Sequence, residues 1–451
     1  MKINRYIPIK INEFLLNRVH IYIEYKSLFE QINHILDYEG LVITIDTILR
    51  VSGTRDIDKN NFCEIQMDCF HKILNNNYKL YLNYLIEEKI VICDNKYVVG
   101  EKSKSYKINE EFLNELISIN IENKTYNKRT IQSLSTKTKL KASNKHITNY
   151  KKSFNINYKD AVKYLNYIYD NKIPDHKGRT LNLSTKSILH HKLLQIKDGQ
   201  LWINRSSSNG RISSNLTTLN GNFKQFILGY HSSLDIISSQ PILVKPLIDM
   251  VKNFQGKGSV SNFYLSTLLS YEYRMLSKTL KKQELTSLVE GLKNVNLPDE
   301  NELKNYINLC QSGKFYEYIQ NEINLNYKEK LERHNIKTIM FTVLYSNNHV
   351  SDKYKRMFGQ IFPTIYKFLC KMKSLIKIKR SHRILPLLLQ GIESFIWVES
   401  ILPKLDKLNI KYLFIHDSVI VKEEDIERTE LHIQEQFFNF KLSPKIKIEK
   451  L

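Results

Sequence analysis

The chain has 451 residues, of which 42% are hydrophobic, and this composition excludes a disordered protein and predicts a globular one. The 68 Lys and Arg residues outnumber 46 Asp and Glu, and the net charge of +22 predicts a polyanionic partner. The longest apolar runs are too short to span a bilayer, and the N-terminus has no signal or transit pattern. The five cysteines show no CxxC spacing, which indicates reduced core thiols. We therefore expect a cytoplasmic protein that binds nucleic acid and no membrane.

Residues 1–115 have the pattern of a small separate module. Helical periodicity is followed by β-branched runs and a basic loop, an order that resembles a winged helix. The helical stretches are 24–37 and 62–88, the β-branched runs are 90–93 and 96–99, and the loop lysines are Lys102, Lys104 and Lys107. DNA binding and protein interaction are equally open functions for such a module.

The next segment, residues 116–157, is rich in Lys, Asn, Ser and Thr and poor in large apolar residues. That composition predicts a basic linker or a solvated helix. From residue 158 apolar periodicity returns and continues to the end of the chain without a repeat or low-complexity break. Residues 158–451 are therefore predicted to form one large domain.

Two apolar stretches each deliver one carboxylate. Residues 226–244 read FILGYHSSLDIISSQPILV, in which a β-rich run carries Asp235, and a carboxylate in such a strand is costly to bury unless it is paired or bound to a metal. Residues 411–421 read KYLFIHDSVIV, and two strand-like runs around this centre predict a tight hairpin with Asp417 at its tip. Taken singly, each pattern is explained as well by a helix cap or a surface turn.

Residues 333–345 read RHNIKTIMFTVLY and place a basic or an aromatic residue at every fourth position. Arg333, Lys337, Phe341 and Tyr345 would share one stripe of an α-helix. Cations of this kind suit a triphosphate, and aromatic rings suit base stacking. A half-buried helix with a solvated end is the alternative.

The order of these elements is more informative than any one of them. A polar loop containing Arg211 precedes the strand aspartate, and Gln390-Gly391 lies between the helix and the hairpin. This order resembles the polymerase core of family A DNA polymerases and of the related single-subunit phage-type RNA polymerases, over about residues 160–451. The resemblance implies an α+β right hand with an antiparallel palm sheet and helical fingers and thumb. The thumb would cover about 158–205, the palm about 206–246 and 370–451, and the fingers about 247–369.

The resemblance implies a two-metal site. Asp235 and Asp417 would be the catalytic carboxylates that hold two Mg²⁺ ions, with Mn²⁺ able to substitute. Arg333 and Lys337 would bind the triphosphate of the incoming nucleotide.

The remaining positions would contact the bases and the nucleic acid. Phe341 and Tyr345 would stack on the new base pair. Arg211 would contact the minor groove at the primer end, Gln390 the template side, and His416 the primer terminus beside the hairpin aspartate.

Two departures from the family pattern bear on the sugar. Ser418 stands where DNA-copying members usually have Glu, and this form is typical of the phage-type RNA polymerases. Gln240 occupies the position that controls sugar choice, where its bulk should exclude a 2′-hydroxyl. We give the steric effect more weight because it acts directly on the substrate.

The expected function is therefore a compact DNA-directed DNA polymerase from a phage or mobile element. We expect no proofreading exonuclease, because no second pair of acids arranged like one appears before residue 160. Its partners would be a DNA primer-template, nucleoside triphosphates and other replication proteins. Two alternatives stay open: a single-subunit RNA polymerase or primase on the same core, and a non-catalytic replication initiator or regulator with a decayed polymerase fold.

Overall fold

The computed structural model describes residues 3–26, 36–54, 57–98, 102–134, 149–175, 178–256, 263–327, 330–349, 352–376 and 381–451. The protein is 60% helical with small antiparallel sheets, which agrees with the predicted α+β class. The helices are α1 (Ile9–Lys26), α2 (Tyr38–Ser52), α3 (Asp68–Leu74), α4 (Tyr78–Glu87), α5 (Lys124–Leu134), α6 (Tyr158–Asp170), α7 (Leu183–Lys197), α8 (Ser239–Ile242), α9 (Val244–Phe254), α10 (Phe263–Leu276), α11 (Lys282–Lys293), α12 (Glu300–Ser312), α13 (Phe315–Tyr327), α14 (Arg333–Tyr345), α15 (Lys353–Ile361), α16 (Pro363–Lys373), α17 (Ile384–Ser394), α18 (Leu402–Lys407) and α19 (Ile426–Phe438). The strands are β1 (Ile3–Pro8), β2 (Cys63–Glu64), β3 (Val91–Cys93), β4 (Ser105–Ile108), β5 (Leu116–Ile121), β6 (Ile203–Arg205), β7 (Ile212–Ser214), β8 (Ser232–Ile236), β9 (Tyr412–Ile415), β10 (Ser418–Val421) and β11 (Ile446–Lys450).

Contacts within the chain define two compact units. The first consists of Met1–Lys137, Lys151–Ile203 and Ser214–Leu228, and the second of Thr138–Tyr150, Asn204–Ser213 and Gly229–Leu451. This division differs from the predicted start of the second domain at residue 158. Apolar side chains explain the difference, because Ile188 and Leu194 of α7 belong to the same buried core as the N-terminal residues.

The first unit is built around α2, most of whose residues are buried. Asp37 caps its first turn by accepting a hydrogen bond from the backbone N–H of Gly40. In the middle of this helix Asp46, 2% exposed, pairs with Arg5 at 2.7 Å and lies 2.8 Å from His191 Nε2. A buried carboxylate is tolerated because charged and hydrogen-bonding partners surround it.

The predicted basic linker is wrong over its first part. Residues Leu116–Ile121 form β5, which pairs antiparallel with β1 from Ile3↔Ile121 to Pro8↔Leu116. Helix α5 follows, and residues 135–148 of the predicted linker lie outside the described residues. The strand forms because Leu116 and Ile121 are buried against the core, a long-range contact that composition does not reveal.

The predicted N-terminal module is also corrected in detail. Strands β2, β4 and β3 form an antiparallel sheet in that order. Strand β2 lies between α2 and α3 in the chain, and β3 and β4 follow α4. The predicted helix 62–88 is instead β2 followed by α3 and α4, because Asn75, with φ of 52°, breaks the helical path. The predicted strand 96–99 is reduced to a bridge between Val98 and Lys102, whose ammonium pairs with Asp94 at 3.0 Å. Most of the predicted helix 24–37 lies outside the described residues.

The second unit contains a four-stranded antiparallel sheet in the order β11, β8, β10, β9. Helices α8 to α16 occupy the chain between β8 and the long helical run that starts at Ser381. That run, Ser381–Lys407, is the one stretch among the described residues that is long and apolar enough to cross a membrane. Its most apolar window is 72% buried inside the protein, as expected of a helix in a protein core.

Candidate active site

The second unit contains a cavity of about 670 Å³, a size typical of small-molecule sites. Six of the residues predicted from the sequence line it: Asp235, Gln240, Arg333, Lys337, Phe341 and Asp417. They come from three separate parts of the chain, and the cavity brings them together around one space. The other predicted residues, Arg211, Tyr345, Gln390 and His416, do not line it.

Strand register places the two aspartates on neighbouring strands. Asp235 lies in β8 opposite Ser418, the first residue of β10, and Asp417 directly precedes that residue in the turn. His416 has a positive φ of 50°, which allows the tight reversal from β9 to β10. Ser418 Oγ donates to the carbonyl of Ile415 at 3.1 Å and so closes the same turn. The predicted hairpin is therefore confirmed, with Asp417 at its tip.

The aspartate pair fits magnesium by its donor chemistry. Magnesium in phosphoryl-transfer sites is usually held by one or two carboxylates, with waters and substrate phosphates completing its ligands. Asp235 and Asp417 supply two carboxylates to one cavity, which is the set that such a site requires. Among the described residues no cluster of three or more His, Cys, Asp or Glu side chains could hold a metal by itself.

Helix α14 provides one cationic side of the cavity. Arg333 and Lys337 both lie over the ring of Tyr316, at 5.5 Å and 6.0 Å from its centroid. Arg333 also pairs with the exposed Glu317 at 2.5 Å. One turn further along, Phe341 is 55% exposed and stacks on Tyr345 with 5.5 Å between ring centroids. An exposed aromatic ring next to two cations offers both a stacking surface and charge for a nucleotide.

Two lysines that the sequence interpretation missed line the cavity from the C-terminal strand. Lys445 precedes β11, and Lys447 in β11 lies directly opposite Asp235. Directly opposed residues of antiparallel strands project from the same face, so Lys447 is an immediate neighbour of this carboxylate. The alternating pattern KIKIEK at residues 445–450 is the signal that could have identified an amphipathic strand here. The cavity thus combines two carboxylates with four cationic side chains.

Gln240 reaches the cavity through a strained turn. Ser238, with φ of 60°, turns the chain from β8 into the short helix α8, a conformation that is uncommon for a residue other than glycine. The Gln240 amide is then held at both ends. Its Oε1 accepts from the hydroxyl of Tyr345 at 2.5 Å, and its Nε2 donates to Glu393 at 2.5 Å. Tyr345 therefore contacts the site through Gln240 rather than by lining the cavity.

Glu393 is a third residue that the sequence interpretation missed, although it lies three residues after Gln390. Its side chain is 2% exposed and accepts from Arg211 Nε at 2.5 Å, and Nη2 of the same guanidinium lies 2.5 Å from the same carboxylate oxygen. Burial raises the pKa of Glu393 to about 7, and the nearby Arg211 guanidinium opposes part of this increase. Arg211 was predicted to contact the primer. In the structure its guanidinium is held by this buried carboxylate.

Gln390 and His416 lie at different distances along the chain from the aspartates and have different surroundings. Gln390 Oε1 accepts from Asn209 Nδ2 at 2.7 Å, so it joins the loop that carries Arg211 to helix α17. His416 is adjacent to Asp417 in the hairpin. The roles predicted for both residues, on the template and the primer terminus, stay predictions.

No protein-family model matches this chain, and a search of curated proteins also gives no match. The chemical inference therefore depends on the residues themselves. Paired carboxylates, cations on two sides and an exposed aromatic ring can bind a metal-chelated nucleoside triphosphate.

Proposed function

We propose that this protein is a template-directed nucleotidyltransferase that adds deoxynucleotides to the 3′ end of a DNA primer. The observation that carries the proposal is the single cavity that unites Asp235 and Asp417 with Arg333, Lys337 and Phe341. Residues so far apart in sequence have no local structural reason to meet around one open space. In the proposed right hand, the sheet β11-β8-β10-β9 is the palm and the helices of residues 247–369 are the fingers.

The two aspartates would hold the magnesium ions. When bound, the ions would favour ionisation of the primer hydroxyl and stabilise the charge of the leaving pyrophosphate. The protein contributes a fixed frame for them, because Asp235 sits in the middle of the sheet and Asp417 in a hairpin closed by Ser418. Such preorganised groups need no rearrangement when charge develops on the substrate.

The cationic side chains would bind and orient the triphosphate. Arg333 and Lys337 face it from the fingers helix, and Lys447 faces it from beside Asp235. Charge spreads over the phosphate oxygens during transfer, so cations on both sides would stabilise the transition state. Phe341, exposed one turn beyond Lys337, would stack on the base of the incoming nucleotide.

Gln240 would exclude ribonucleotides by occupying the space of a 2′-hydroxyl. Its two hydrogen bonds, to Tyr345 and Glu393, keep the side chain from moving aside. The rival indication for RNA synthesis was Ser418, and the hydroxyl of that residue is used to close the hairpin turn. We therefore favour deoxynucleotides.

The test is a primer-extension assay with separate pools of dNTPs and NTPs in the presence of Mg²⁺. We expect the wild type to extend a DNA primer with dNTPs and to discriminate against NTPs. Gln240→Gly should reduce this discrimination by about 10- to 200-fold, since a hydrophobic or steric contact of one small group is worth that much in specificity.

Gln283→Gly provides the matched control, because Gln283 is exposed on α11 and its loss tests only the cost of a glycine in a helix. Extension with NTPs alone would favour the RNA polymerase or primase alternative. DNA binding without incorporation of any nucleotide would contradict the proposal and favour a non-catalytic initiator or regulator.

A further inference from the structure

A continuous set of hydrogen bonds runs from the candidate sugar-selecting residue to the loop that carries Arg211. The Tyr345 hydroxyl donates to Gln240 Oε1, and Gln240 Nε2 donates to Glu393 Oε1. The other oxygen of Glu393 accepts from Arg211. Each of these three contacts is 2.5 Å long. Glu393 connects the Tyr345–Gln240 pair to Arg211, and its side chain is 2% exposed.

The carboxylate of Glu393 determines which way the Gln240 amide points. In the structure both oxygens of Glu393 accept, one from Gln240 Nε2 and the other from Arg211 Nε, as an ionised carboxyl group does. The Gln240 amide therefore turns its NH₂ group toward Glu393. The carbonyl oxygen of Gln240 is then left facing Tyr345, whose hydroxyl donates to it. A neutral side chain at position 393 that could donate a hydrogen bond would allow the Gln240 amide to turn its oxygen toward position 393. The Tyr345 hydroxyl would then face the amide NH₂ group and have no oxygen of Gln240 to donate to.

Glu393 also fixes Arg211, through its second carboxylate oxygen. The guanidinium donates from Nε to that oxygen and its Nη2 lies 2.5 Å from the same atom. The Arg211 side chain is 24% exposed, so part of it still reaches solvent. The backbone N–H of Arg211 is held separately by Asn209 Oδ1 at 3.2 Å. Glu393 therefore constrains a residue that faces the nucleotide and a residue predicted to face the primer.

We propose that Glu393 is a positioning residue that sets sugar selectivity by fixing the side chains of Gln240 and Arg211 relative to each other. This inference rests on the proposed polymerase function. Glu393 touches neither substrate in this account and acts through its two partners. Its loss should weaken nucleotide binding and sugar discrimination more than it slows the chemical step, because the carboxylates Asp235 and Asp417 are untouched.

An exchange of the acid and the amide provides a sharp test. In Glu393→Gln the amide at position 393 can satisfy Arg211 but competes with Gln240 for donors and acceptors. In Gln240→Glu a half-buried carboxyl group at position 240 faces the buried carboxyl group of Glu393. The double exchange Gln240→Glu with Glu393→Gln restores a consistent order, since residue 393 would accept from Arg211 and donate to residue 240, which would accept from Tyr345.

Single-nucleotide incorporation should be measured on the full chain with a dNTP and with the matching NTP. We expect Glu393→Gln to raise the KM for the dNTP by roughly tenfold or more, the effect of losing a charge-assisted hydrogen bond, with a smaller change in kcat. Discrimination against the NTP should fall in parallel. The double exchange should recover most of both losses. Thermal unfolding of each variant separates misfolding from mispositioning.

Three results would overturn the inference. An active wild type whose Glu393→Gln variant keeps its KM and its discrimination would refute it while leaving the proposed function intact. A double exchange no better than the single variants would show that hydrogen-bond order does not matter. A wild type that incorporates no nucleotide would refute the proposed function, and this inference with it.

Discussion

Glu272 of helix α10 is a buried carboxyl group packed against Gly391 of helix α17, and its replacement tests how stability depends on pH. The residue is 3% exposed, and its Oε1 has no hydrogen-bond partner in the part of the chain that the structure describes. Burial therefore raises the pKa of Glu272 well above its ordinary value of 4.5. Gly391 is pressed against it, since a Cβ at that position would lie 2.2 Å from Oε1.

The sign and size of the effect follow from proton linkage. Above about pH 4.5 the unfolded chain releases this proton and the folded chain keeps it, so folding loses about 1.4 kcal/mol for each further pH unit until the folded group ionises. This cost rises with pH for as long as the folded group keeps its proton. Glu272→Gln has the same shape and no proton to retain. We expect its advantage in stability over the wild type to be larger near pH 7.5 than near pH 5.

Urea unfolding followed by tryptophan fluorescence can report this difference in the second unit alone. The chain has two tryptophans, and a Trp202→Phe background leaves Trp397, which is 1% exposed in that unit. Glu290→Gln, at an exposed position of α11, controls for the general effect of removing an acid. A stability difference that is equal at both pH values, or a variant less stable near pH 7.5, would refute the reasoning and indicate that the carboxylate is stabilised in the fold.

Two further predictions concern one buried charged residue, Asp46, and one exposed charged residue, Lys447. Asp46→Asn should destabilise the first unit by about 3–5 kcal/mol, because it leaves the buried Arg5 without its counter-ion. Burial raises the pKa of Asp46, but Arg5, His191 and Arg50 together outweigh burial and hold this pKa well below its usual range. The advantage therefore exists at neutral pH and is lost as pH falls through the folded value. Trp202 fluorescence during urea unfolding measures it. Lys447→Gln should raise the KM for the nucleotide roughly twofold to fivefold, a modest effect because the side chain is exposed. The control is Lys450→Gln, on the same strand but outside the cavity, which should leave the KM unchanged.

Much of the local structure around the site could be predicted because its signals are short in sequence. The apolar runs on both sides of Asp417 predict the β9–β10 hairpin, and the four-residue repeat from Arg333 to Tyr345 predicts α14. These two predictions depend on periodicity within about ten residues, which the sequence displays directly. The pairing of Asp235 with Asp417 was instead implied by the resemblance that the order of the motifs carries.

Contacts between distant residues could not be predicted in the same way. Gln240 and Glu393 are 153 residues apart, and no periodicity indicates that one would donate to the other. The same limit applies to the first unit, where His191 meets Asp46 across 145 residues and so joins α7 to the N-terminal core. The first part of the predicted linker failed for a related reason, since β5 is a short strand that is stabilised by its long-range pairing with β1.

The central claim is that Asp235 and Asp417 form a nucleotidyl-transfer site, and Asp417→Ala tests it most directly. Extension of a DNA primer with dNTPs and Mg²⁺ should be compared for the wild type, Asp417→Ala and the control Glu427→Ala, an exposed acid on α19 away from the cavity. DNA binding by all three proteins should be measured in parallel. We predict that only Asp417→Ala loses incorporation while its DNA binding is retained. Undiminished incorporation by Asp417→Ala would contradict the account.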